Sequence, residues 1–299
     1  MRIVYLGTPD DAVPPLRALV DAGHDIAFVV TQPDRRRSRG AGADASPVKR
    51  AALDLGLQVR TPDKAREIIE ETRASGAELG VVVAFGQLLP VALLEALPHG
   101  FVNVHFSLLP RWRGAAPVER ALLAGDRETG VCLMQIEAGL DTGPVFACER
   151  VPIEPDDSAG RLHERLTEVG TQVLVEQLPH LRGMTPNAQT GEATYAEKLS
   201  VEEFHLDPQR SAEELARVVR AGNPRPGAWF IANGRRIKVW QAHALDTAAA
   251  PGQVNAAGEL GTARGALALD EVQPEGKRPM PGRAWRAGVH GDLRVGATS

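Results

Sequence analysis

Residues 79–84, Leu-Gly-Val-Val-Val-Ala, carry no polar side chain that a wet face could take. An apolar run of this length reads as a strand covered on both faces, as in parallel sheets with helices above and below. Parallel neighbours cannot be joined by a tight hairpin and need crossovers of a dozen or more residues. The flanking sequence supplies them. Residues 2–6 are a short apolar strand, residues 13–20 an amphipathic helix pattern ending at Gly23, and residues 25–30 a second strand. Helical patterns follow at 48–55, 63–75, 90–97, 117–124 and 162–181. Strands are expected at 57–59, 100–104, 131–136 and 145–151. Strands alternating with helices predict a Rossmann-like, doubly wound, mostly parallel sheet over residues 1–185.

The alternation stops at residues 186–206, a polar stretch that reads as a linker. After it, Ser211 with Glu214 three positions on forms a capping box for a helix over 211–221. Short strand-like runs punctuated by Gly and Pro then predict a small OB-like β-barrel over 207–299. Residues 207–299 hold 13 Lys/Arg against 9 Asp/Glu, whereas residues 1–206 hold 21 against 29. A basic C-terminal part beside an acidic body points to two units with different partners.

Several function classes are excluded. No apolar run approaches the roughly 20 residues of a membrane span, and the N-terminus reads as a first strand rather than a signal peptide. The chain is expected to be a cytoplasmic monomer. Cys132 and Cys148 fit neither a disulfide framework nor a zinc spacing, so two reduced packing thiols are expected. His99 and His105 have no matching acidic cluster, and no metal is expected. The first turn, Gly-Thr-Pro-Asp-Asp-Ala, lacks the G-x-G-x-x-G pattern and puts Asp10 and Asp11 where a pyrophosphate needs a clear helix N-terminus.

In an open α/β sheet, ligands bind beyond the carboxyl ends of the strands. There the chain reads Val-Asn-Val-His-Phe-Ser-Leu-Leu-Pro-Arg-Trp-Arg-Gly-Ala-Ala-Pro, residues 102–117. Period two places Asn103 and His105 on one face. Some thirty residues on, Asp141 stands between Gly139 and Gly143, a carboxylate on a tight turn. An amide and an imidazole can hold a developing oxyanion, and a carboxylate can orient the imidazole or help move a proton. Ser107 lacks a nucleophile elbow, so direct transfer between two substrates fits better than a covalent intermediate.

These segments together resemble the 10-formyltetrahydrofolate-dependent formyltransferases. The resemblance runs nearly end to end, through GTPD, TQPDR (31–35), SPVK (46–49), VVAFGQLLP (82–90), TYAEKLS (194–200) and NPRPGAW (223–229). TYAEKLS and the C-terminal unit are similar to the branch acting on methionyl-tRNA. The catalytic block alone also allows relatives acting on amino sugars or other small amines.

The resemblance implies a catalytic set of Asn103, His105 and Asp141. The co-substrate is then 10-formyltetrahydrofolate, with the methionyl amine of charged initiator tRNA as acceptor in translation initiation. The folate is expected against Phe85, Gly86, Gln87, Leu88 and Leu89, bordered by Ser107, Leu108, Leu109 and Pro110. The loop with four arginines in five positions, 35–39, corresponds to one that meets the tRNA acceptor stem, which implicates Arg36, Arg37 and above all Arg39. Arg235, Arg236 and Lys238 are further candidates for the tRNA backbone. Phe106 departs from the family, where a small residue or proline is common.

Overall fold

A computed structural model describes residues 1–36, 43–289 and 291–295. The first half of the chain runs β1 (Arg2–Gly7), α1 (Val13–Asp21), β2 (Asp25–Val30), β3 (Arg35–Arg36), β4 (Ala43–Asp44), α2 (Pro47–Asp54), β5 (Val59–Arg60), α3 (Ile69–Ala74), β6 (Leu79–Val83), α4 (Val91–Leu94) and β7 (Phe101–His105). It continues with β8 (Arg113–Gly114), α5 (Pro117–Ala124), β9 (Glu128–Gln135), β10 (Val145–Pro152), α6 (Ala159–Gln177) and β11 (Tyr195–Ala196). The C-terminal part holds α7 (Ala212–Gly222), β12 (Ala228–Ala232), β13 (Arg235–Leu245), β14 (Gln253–Val254), β15 (Glu259–Gly261), β16 (Ala266–Pro274), β17 (Met280–Pro281), α8 (Gly282–Ala287) and β18 (Leu293–Arg294).

The chain divides into two units. The first gathers Met1–Pro117, Glu128–Pro152 and His163–Glu197; the second gathers Val118–Arg127, Ile153–Leu162 and the residues from Lys198 onward.

In the first unit one sheet has the order β10-β9-β7-β6-β1-β2-β5. Its five strands from β7 to β5 are parallel, whereas β9 and β10 add an antiparallel edge. The order reverses between β1 and β6, so the crevice expected of such sheets opens at their carboxyl ends. All five residues of β6 are buried, as an apolar run covered on both faces requires. Ser46 caps α2 by accepting from the Lys49 backbone N–H at 3.0 Å, and its hydroxyl also meets Thr31 at 2.7 Å. Lys49 in turn pairs with Asp34 at 2.6 Å. Tyr5 is fully buried and donates to the Ala12 carbonyl at 2.6 Å, and burial pushes its hydroxyl pKa well up.

The expectation of two free thiols does not hold. Antiparallel pairing of β9 with β10 sets Cys132 directly opposite Cys148, and the two form a disulfide. Sixteen residues is the length of chain that this hairpin needs to bring the two positions back into register. Sequence spacing alone does not reveal that pairing.

In the second unit an antiparallel sheet runs β12-β13-β16-β15-β14-β18, with β17 also on β16. A single bridge between Ala232 and Val295 joins its two edges, which gives the curled, barrel-like form. Within it β16 is one continuous strand of nine residues. Ser211 and Glu214 form the capping box of α7, whose Leu215, Val218 and Val219 are buried. No helix among the described residues is long and apolar enough to cross a membrane.

Gly80 lies beside Phe101, its partner across the β6–β7 ladder. A Cβ at Gly80 would come within 1.9 Å of the buried Phe101 ring. Phe101 opens the strand that carries Asn103 and His105, so this packing also sets the depth of the site. Gly80→Ala should lower unfolding free energy by about 1–3 kcal/mol, the usual cost of overpacking, measured by urea denaturation.

Candidate active site

Asn103 and His105 share one face of β7, and His105 sits on the last residue of the strand. The face opens on a cavity of about 710 Å³ within the first unit, which Asp141 also lines. His105 is 5% exposed. Its Nε2 lies 2.9 Å from the carbonyl of Trp112, a group that can only accept, so Nε2 carries a proton. Its Nδ1 faces Asp141 Oδ2 at 3.7 Å. The same carboxylate oxygen accepts from the Gly114 backbone N–H at 2.8 Å. Among the described residues no group hydrogen-bonds the half-buried Asn103 amide. The three polar groups proposed from the sequence thus line one cavity, with His105 Nδ1 facing Asp141.

Two residues in the left-handed backbone region support this. Trp112 has φ 61° and Asp141 has φ 50°, both uncommon for a residue with a Cβ. Trp112 is held by its N–H donating to Thr194 Oγ1 at 2.9 Å. That conformation turns its carbonyl toward His105. Trp112, Gly114 and Thr194 carry no titratable group, so charge patterns in the sequence could not single them out.

The loop after β6 forms the opposite wall. Phe85 is buried, and its carbonyl accepts from Thr8 Oγ1 at 3.1 Å and from Gln32 Nε2 at 2.9 Å. Gln87 lines the wall, but its amide is committed to the scaffold: Oε1 accepts from the Ala65 N–H at 2.8 Å. Leu88, Val91 and Leu140 rim the cavity. They are three of the six large hydrophobic residues exposed among the described residues. Apolar side chains gathered at a rim mark a surface that a ligand covers. The ionisable side chains on the wall are His105, Glu137 and Asp141.

Ser107, Leu108, Leu109 and Pro110 do not reach the cavity. The Ser107 hydroxyl is fully buried and donates to the Arg111 carbonyl at 2.6 Å, inside its own turn. Leu108 packs against Gly130 of β9, and the Leu109–Pro110 peptide bond is cis. Gly114, Ala115, Pro117, Met134 and Ile136 line the cavity instead, together with Phe106. Phe106 is buried, with its ring edge-on to His163 at 6.2 Å, and His163 pairs with Asp11 at 3.0 Å.

Comparisons with known proteins identify the family. A formyl transferase family model matches residues 1–178, and a model of the formyl transferase C-terminal domain matches residues 198–290. The methionyl-tRNA formyltransferase of Thermus thermophilus is 47% identical over 294 residues, covering 96% of both chains. That of Ruegeria pomeroyi is 46% identical over 93% of both. The chain belongs to the methionyl-tRNA formyltransferase family. Among solved structures, HypX of Aquifex aeolicus in complex with tetrahydrofolic acid shares the fold. Its TM-score is 0.67 at 19% identity, over 96% of this chain and 47% of that one.

The residues considered for tRNA come from two separate stretches of this formyltransferase chain. Arg37 and Arg39 lie outside the described residues, and Arg36 lies in β3 opposite Ala43 of β4. Arg235, Arg236 and Lys238 lie on β13, where period two separates Arg235 from the other two. Arg236 stacks on the Trp229 ring at 3.8 Å, and Lys238 lies over Trp240 at 5.1 Å while donating to the Pro226 carbonyl.

Phe85 and Leu88, three positions apart, have opposite roles. Phe85 belongs to the core, whereas Leu88 is 81% exposed. Phe85→Ala should cost about 3–5 kcal/mol of stability, whereas Leu88→Ala should leave the melting temperature unchanged within about 1 °C. Differential scanning calorimetry of the two variants checks both.

Proposed function

We propose that the cavity holds 10-formyltetrahydrofolate and that its formyl group passes directly to the methionyl amine of initiator tRNA. The observation that carries this reading is the unengaged Asn103 amide beside His105 Nδ1 and the Asp141 carboxylate, behind an apolar rim. A flat heteroaromatic ring suits apolar walls with a few backbone donors and acceptors. The family to which the chain belongs supports both the donor and the acceptor, and no step requires a metal.

The amine attacks the formyl carbon as its free base, so the rate falls as pH drops toward the amine's pKa. A new carbon–nitrogen bond forms and the carbonyl oxygen takes up negative charge. Asn103 and a proton on His105 Nδ1 stabilise that oxyanion. Nε2 is engaged by Trp112, so the proton offered to the oxyanion must sit on Nδ1, and the imidazolium form supplies it. The intermediate collapses by breaking the bond to N10, and the proton lost by the amine ends on N10. Asp141 accompanies this transfer by holding the ring and its charge. No covalent enzyme intermediate forms, in keeping with the buried, internally bonded Ser107.

Contact with tRNA rests on the arginines of residues 35–39, including Arg36, Arg37 and Arg39, and on the basic C-terminal unit with Arg235, Arg236 and Lys238. Phosphates and an unpaired end are what such groups read.

Purified protein given 10-formyltetrahydrofolate and charged initiator tRNA should produce formylmethionyl-tRNA. Asp141→Asn should lower kcat by roughly 10²–10⁴-fold, as for loss of acid–base assistance, with KM for the donor little changed. Leu88→Ala should raise that KM about tenfold, the equivalent of part of one leucine side chain buried on binding. Formylation of an amino sugar without formylation of tRNA would overturn the acceptor assignment.

A further inference from the structure

The Asp141 turn has a backbone conformation that its own sequence does not secure. Asp141 has φ 50°, and its carboxylate must stay near His105 Nδ1 to act. Gly114 holds one carboxylate oxygen, but that bond fixes the side chain and leaves the turn itself unsupported.

The support comes from residues 187–196, which in sequence belong to the polar stretch after α6. Asn187 bridges to Val145 with backbone bonds of 2.8 Å in both directions. The Thr194 carbonyl accepts from the Arg113 N–H at 2.9 Å, and the Ala196 carbonyl from the Ala115 N–H at 2.8 Å. The segment therefore lies along both the Asp141 hairpin and the Trp112–Gly114 stretch. Gln189 sits between these anchors. Its Nε2 donates to the carbonyls of Asp141 and Gly143, each at 2.8 Å. Its Oε1 accepts from Arg113 Nε at 3.1 Å and from an Arg113 terminal nitrogen at 2.7 Å. One side-chain amide thus uses both donors and its acceptor at once, which also fixes its orientation.

We propose that Gln189 is a positioning residue for formyl transfer. It clamps the two carbonyls of the Asp141 turn to Arg113, the neighbour of Gly114, and so sets the carboxylate against His105. The proposal rests on the catalytic reading of Asp141 given above. No other common side chain places two donors and an acceptor in this plane at this reach. Gln189→Glu keeps the size and the pairing with Arg113 but turns an oxygen against the two carbonyls. Gln189→Ala removes every bond.

The test is kinetic, on the full-length protein with 10-formyltetrahydrofolate and charged initiator tRNA. Gln189→Ala and Gln189→Glu should each lower kcat roughly 10- to 100-fold, as a misplacement of about 1 Å does, with both KM values within about twofold. The pH profile of kcat should change shape, because the carboxylate no longer holds its place. In an Asp141→Asn background the same substitutions should cost less than about twofold, since the group they position is already gone. Equal losses in both backgrounds, or losses confined to KM, would overturn the proposal while leaving the active site intact. A folded wild-type protein without formyl transfer would overturn the functional reading, and the proposal with it. Melting temperatures of the Gln189→Glu variant and the wild type separate misplacement from unfolding.

Discussion

The hydrogen bond between His105 Nε2 and the Trp112 carbonyl decides which nitrogen of the imidazole is available for chemistry. A carbonyl only accepts, so Nε2 keeps its proton and Nδ1 alone can exchange one. Nδ1 faces Asp141, and Asn103 stands two residues back along the same strand face. The bond exists because Trp112 is held with φ 61° by Thr194. An unusual backbone conformation, fixed from eighty residues away in sequence, thus sets the protonation pattern of the central side chain.

The sheet supplies the rest of the geometry. β7 ends beside β6 at the edge of the crevice. The β9–β10 connection leaves from the other end, where Gln135 pairs with Val102, and its loop carries Asp141 back to His105. Close packing under the site is demanding. Gly80 leaves room for the Phe101 ring, and Gly170 of α6 approaches Val104 so closely that a Cβ would sit 2.9 Å from its methyl. A rigid floor of this kind keeps Asn103 and His105 in fixed relation, whereas the opposite wall ends in exposed leucines that a ligand can cover.

Much of this was legible in the sequence, because it follows from periodicity and from residue types that advertise chemistry. The run at 79–84 gave a buried parallel strand, the capping box gave the start of α7, and period two placed Asn103 and His105 together. What escaped follows from contacts distant in sequence. The Cys132–Cys148 pairing depends on the β9–β10 register. Leu108 carries the same apolar signal as Leu88, yet one packs against Gly130 and the other rims the cavity. Residues 187–196 have no periodicity because they follow the outline of a loop. Their polar side chains look like those of a linker until their partners are known.

The measurement that tests the account most directly is a crystal structure of the protein with a non-transferable analogue of 10-formyltetrahydrofolate. The account places the analogue's formyl-position carbonyl within about 3 Å of the Asn103 amide nitrogen and of His105 Nδ1, with the ring system under Leu88 and Leu140. An analogue bound with that carbonyl remote from both groups, for example in the larger cavity of the second unit lined by Arg217 and Arg220, would contradict it.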